Sequence, residues 1–109
     1  MRAAIRSIEF DPEPRSLGAD PEAFAFQVRL LIGPEGEPGE ESFDLTGCSP
    51  EWLASECART GVVDGRHHLV VNMAEYDEQT LRGWLEKRVS SVEGPLWFDI
   101  AQRLTRLAH

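Results

Sequence analysis

The sequence predicts an α+β fold: a mainly antiparallel four-stranded sheet with three helices packed on one face, in the order β-β-β-α-β-α-α. Three observations predict it. Apolar residues alternate with a period of two through the first half, and they recur at three- and four-residue spacings through the last third. Strands and helices also lack the strict alternation of a doubly wound sheet. At 109 residues there is room for one core, so residues 1–109 are read as a single domain.

The elements follow in order. Residues 3–10 form a first strand in which Ile5, Ile8 and Phe10 break strict alternation, the mark of a bulge. Pro12, Pro14, Gly18 and Pro21 make 11–22 a loop. Phe24, Phe26, Val28, Leu30 and Ile32 then alternate cleanly, as a strand with one buried face does. Across the Gly- and Pro-rich stretch 33–41, Phe43 and Leu45 alternate again, which predicts a hairpin of 24–32 with 42–46 and a long acidic tip. Ser49-Pro50-Glu51 supplies an N-cap, a first-turn proline and a carboxylate for a helix to about Arg59, closed by Gly61. The apolar run 69–73 reads as a fourth, central strand. Asp77 caps a helix with Leu81, Trp84, Leu85, Val89 and Val92 on its apolar stripe. Gly94-Pro95 separates it from a last helix built on Leu96, Trp97, Ile100, Ala101, Leu104 and Leu107. Trp52, Trp84 and Trp97 each fall on a helical apolar stripe and are expected to be structural core residues.

The formal charge is −8, and it is uneven: residues 1–51 carry eleven acidic and four basic side chains. Such a field repels nucleic acid and anionic membrane and steers in a cationic surface. No stretch is apolar enough for a signal peptide or a membrane span, so a cytoplasmic protein is expected. Cys48 and Cys57 have neither the spacing of a zinc ribbon nor the number of a disulfide framework. They are expected as reduced thiols, Cys48 ending a strand and Cys57 acting as a small hydrophobe within a helix.

Catalytic patterns are missing. His67 and His68 are adjacent, and neighbours on a strand face opposite sides, so they do not share a metal; His109, the last residue, is expected to be frayed. No G-x-S-x-G, phosphate-binding loop or H-E-x-x-H occurs. Neither an enzymatic activity nor a cofactor or metal is therefore expected. Two other readings stay open: a small homodimeric structural or regulatory domain pairing through a strand edge, and a metal-dependent hydrolase using Asp64, His67 and Glu75. Arg66 is expected at the rim of the fourth strand, where its guanidinium would hold a loop carboxylate and fix the turn at Gly65.

Four stretches in order resemble the immunity protein 8 family of bacterial polymorphic toxin systems. They are Phe24-Ala25-Phe26 through Val28 to Ile32-Gly33-Pro34, Gly36 and Gly39 through Glu41-Ser42-Phe43-Asp44, Cys48-Ser49-Pro50-Glu51-Trp52-Leu53, and Gly65-Arg66-His67-His68-Leu69-Val70-Val71 to Tyr76-Asp77. Gly94, Trp97 and Ile100-Ala101 through Leu104 extend the similarity to roughly residues 3–107. The family usually has a strand residue with a side chain where Gly47 stands. The resemblance implies a protein that neutralises a cognate toxin by direct contact, and a monomer or weak homodimer is expected. A toxin with a basic cleft would meet Glu35, Glu37, Glu40, Glu41 and Asp44, the acidic residues of the hairpin, as substitutes for phosphate.

Overall fold

The computed structural model describes residues 1–109, the side chain of Met73 excepted. Strands β1 (Ala3–Asp11), β2 (Ala25–Pro34), β3 (Glu41–Cys48) and β4 (His68–Val70) lie side by side in that order. The first three are antiparallel, joined by the expected hairpin, whereas β4 runs parallel to β3. The sheet is thus mixed. The reason lies in the connection: residues 49–67 carry helix α1 (Pro50–Thr60), and a helical crossover of that length returns the chain in the direction it left.

The fourth strand also corrects the expectation of a central one over 69–73. It is three residues long and lies at the edge. Leu69 and Val71 pack against the core, but Val70 between them is 50% exposed; consecutive apolar residues here reflect one covered face and one open one. So short an edge offers another strand little to pair with.

The core is the layer between sheet and helices. Phe26, Val28, Leu30 and Ile32 from β2 and Phe43 and Leu45 from β3 meet Leu81, Leu85 and Val89 of α2 (Glu78–Ser90) and Ile100 and Leu104 of α3 (Trp97–Leu104). Phe26 carries Phe10 and Phe24 edge-on at 5.7 Å each, an arrangement aromatic quadrupoles favour. Its ring lies directly over Gly47, its register partner: a Cβ there would sit 2.3 Å from Cζ. That close approach explains a glycine within β3.

Helix α1 is capped as expected. The Ser49 hydroxyl accepts from the Trp52 N–H at 3.1 Å and donates to the Pro21 carbonyl. Yet α1 buries no side chain, so Cys57 is exposed and not a small core hydrophobe. Of the three tryptophans expected in the core, Trp52 is half-buried and stacks on His68, and Trp97 is half-buried against the core. Trp84 is 46% exposed, because the buried stripe of α2 runs through Leu81, Leu85 and Val89 and leaves its neighbour at the margin.

His109 is anchored, not frayed. Its backbone N–H and C=O both bond Asp44, at 2.9 and 2.6 Å, filling the edge of β3 beyond β4. Its imidazole Nδ1 lies 2.9 Å from Nδ1 of His67, whose Nε2 lies 2.5 Å from the Thr105 carbonyl. A carbonyl only accepts, so Nε2 of His67 is the donor to Thr105. The residue that leads into β4 and the residue that follows α3 at position 109 are thereby joined at one point.

Candidate functional site

The acidic hairpin is shaped from beneath by one arginine. In β1 the register with β2 shifts between Ile5 and Ser7, which makes Arg6 the bulged residue anticipated from the broken alternation. Bulges re-aim side chains. The Arg6 guanidinium crosses to the hairpin and donates to the Pro34 carbonyl at 2.7 Å and to the Glu37 carbonyl at 2.5 Å. The main chain of the tip folds back as well: a Cβ on Gly33 would meet the Gly39 carbonyl oxygen at 2.1 Å. Two further bonds hold the near side, Glu35 N–H to Arg2 C=O at 2.8 Å and Glu37 N–H to Pro34 C=O.

The five acidic residues named from the sequence occupy three environments. Glu35, Glu37 and Glu40 are exposed on the tip. Glu41, the first residue of β3, accepts from the Trp97 indole Nε1 at 2.9 Å. Asp44 faces Arg29 across the β2–β3 ladder and pairs with it at 3.0 Å, and that hydrogen bond pushes the guanidinium pKa up. Of the five, Asp44 is paired with a cation, whereas the indole N–H that holds Glu41 is neutral and leaves that exposed carboxylate its charge.

The Trp97–Glu41 bond brings the start of α3 against this tip. Gly94 N–H reaches the Met1 carbonyl at 3.0 Å, and Arg2 bridges Glu93 in both main chain and side chain. Residues 1–2, the hairpin and residues 93–98 thus form one end of a molecule measuring 42 × 29 × 18 Å. Leu96 and Phe98 flank Trp97 there and are 63% and 67% exposed. Leu96 was expected on the buried stripe; as the N-cap residue of α3 it precedes the first helical turn and stays outside. Phe98 is the residue that reading by periodicity passes over, although an aromatic one position off the stripe of Trp97, Ile100, Ala101 and Leu104 was a visible signal.

The sequence model of the immunity protein 8 family, compared with this chain, matches residues 3–109. The chain belongs to that family. Neither the curated proteins nor the solved structures compared with it contain a match. Membership implies an immunity protein acting against a toxin, in a family that is generally non-enzymatic.

In this immunity protein 8 chain the remaining candidates lie apart from the hairpin end. Arg66 is exposed, and the turn at Gly65 is held by its backbone N–H, which donates to the Asp64 carboxylate at 3.0 Å. That bond, with the Arg66 charge, holds the Asp64 carboxyl below the usual carboxylate range. Glu75 belongs instead to a groove of about 310 Å³ lined by Leu69, Tyr76, Leu81 and Trp84. Among the described residues no three His, Cys, Asp or Glu side chains gather as metal ligands would. No helix is long and apolar enough to cross a membrane.

Proposed function

We propose that this immunity protein 8 member binds its cognate toxin directly through the hairpin end and blocks a basic surface of it, without catalysis or a cofactor. The observation that carries the reading is family membership over residues 3–109. The hairpin supports the choice of surface: Glu35, Glu37 and Glu40 are exposed on a tip whose backbone is already held by Arg6. A preformed acidic tip meets a cationic cleft with little ordering to do on contact. Action in the cytoplasm fits the two free thiols, one of them exposed.

The test is co-expression with the toxin domain encoded beside it, which is expected to yield a stable complex and to restore growth. Reversing Glu35, Glu37 and Glu40 to lysine is expected to slow association at least about tenfold at low salt, because electrostatic steering raises on-rates by roughly 10–1,000-fold. Failure to bind and protect refutes the immunity reading for this chain. Protection with an unchanged association rate removes the hairpin from the interface.

A further inference from the structure

Two large apolar side chains stand uncovered beside the acidic tip. Leu96 and Phe98 are 63% and 67% exposed, and a single exposed Leu or Phe is ordinary, whereas neighbouring ones on an ordered element mark an interaction surface. Their exposure is built into the helix register. Ile100 and Leu104 are buried and Trp97 packs on the core, so rotating α3 to cover Phe98 would uncover that stripe.

The backbone beneath them is fixed. Asp99 and Ile100 N–H both bond the Leu96 carbonyl, at 3.1 and 3.3 Å, and the Arg103 guanidinium donates to the Glu93 carbonyl. Gly94 packs so closely that a Cβ would lie 3.3 Å from Asp99 Cβ. The Trp97 indole, 2.9 Å from Glu41, then locks this segment to the hairpin. An anchor held in place before contact loses little entropy on binding.

We propose that Leu96 and Phe98 are the apolar anchors of the toxin interface, entering an apolar depression on the toxin whose rim carries the lysines and arginines that Glu35, Glu37 and Glu40 meet. The inference rests on the toxin-binding reading above and deepens it. Charge selects the occupant. A second copy would bring the same three exposed glutamates against themselves, on a chain whose formal charge is −8, whereas a cationic protein surface complements them. Interfaces of this form concentrate their energy in a few central aromatic or aliphatic anchors and place charges at the rim.

The experiment measures binding of the purified full chain to the toxin domain encoded beside it, by surface-based kinetics at fixed salt. Phe98→Ala and Leu96→Ala are each expected to weaken Kd at least tenfold and the double variant at least a hundredfold, chiefly through faster dissociation. Charge reversal on the tip acts instead on association. Val62→Ala, at a residue 82% exposed, is expected to leave Kd within twofold. Amide exchange provides a second readout that needs no variant: residues 94–98 are expected to gain protection in the complex. If wild type binds and the double variant stays within threefold, or exchange at 94–98 is unchanged, the anchors are wrong while the immunity reading stands. If wild type does not bind the toxin, both fall. Concentration-dependent dimers of the chain alone that Phe98→Ala dissolves would also overturn the proposal.

Discussion

Replacing Gly47 with alanine adds one methyl group against a buried ring of the core. The added Cβ would lie 2.3, 2.6 and 2.8 Å from Cζ, Cε2 and Cε1 of Phe26, where non-bonded carbons rest at about 3.5–4.0 Å. The ring must therefore retreat by roughly 1.2 Å or more, and it has nowhere to go, since it is 2% exposed with Phe10 and Phe24 edge-on against it. Overpacking of this kind costs about 1–3 kcal/mol, and with three rings to shift, the upper half of that range is expected. A 2 kcal/mol loss lowers Tm by roughly 8–16 °C in a domain of this size. Urea unfolding followed by tryptophan fluorescence reads the change as a lower midpoint at unchanged slope. Gly83 supplies the opposite case. A Cβ there meets nothing within 4 Å, it lies inside α2, and alanine is expected to stabilise by about 0.5–1 kcal/mol through helix propensity. Combining Gly47→Ala with Phe26→Leu should recover part of the loss. A Gly47→Ala protein within about 0.5 kcal/mol of wild type, inside the range of ordinary surface substitutions, would refute the packing argument.

The two thiols should separate by reactivity. Burial covers Cys48 and pushes its pKa up, whereas Cys57 is exposed, so a thiol reagent is expected to titrate one cysteine in the native protein and two after unfolding; equal native rates would contradict the placement. Asp64 is expected to titrate below the ordinary aspartate value of about 3.9, because its carboxylate accepts from the Arg66 N–H. A folded-state pKa lowered in this way contributes stability that is present above the unfolded value and is lost as pH falls through the folded one. The contribution is small because the group is exposed; a carboxyl midpoint by NMR at or above 3.9, or an identical one in Arg66→Pro, would remove the hydrogen bond as its cause.

Local pattern made much of this fold readable, and what it missed was non-local. Alternation in β2 and β3 located the hairpin because each core side chain there contacts the same layer. The caps at Ser49 and Asp77 were readable because their bonds span two or three residues. The direction of β4 was also implicit in a strand–helix–strand order, but the run Leu69-Val70-Val71 concealed its edge position, since period counting does not distinguish two covered faces from one. Arg6 illustrates the limit. Its bulge was visible in the spacing of Ile5 and Ile8, while its hydrogen bonds reach 28 and 31 residues along the chain. In the same way Glu41 and Asp44 look equivalent to Glu37 in sequence. Only the approach of Trp97 from 56 residues away and the register with Arg29 set them apart.

Those distant contacts shape the hairpin end proposed as the binding surface. Arg6 orders the tip through carbonyl oxygens, so its charge stabilises the loop without forming an ion pair with the exposed glutamates. The other fixing interactions fall on residues that strand geometry already holds, Arg29 on Asp44 and Trp97 on Glu41. Rigidity and available charge, which a salt-bridged loop would set against each other, are in this arrangement supplied by different atoms. The start of α3 follows the same division, with Trp97 turned inward to hold the hairpin and its neighbours Leu96 and Phe98 left outward. Because none of these outward side chains belongs to the buried core, replacing them in this chain is expected to cost little stability, whereas Phe26 and Arg6 hold several contacts each.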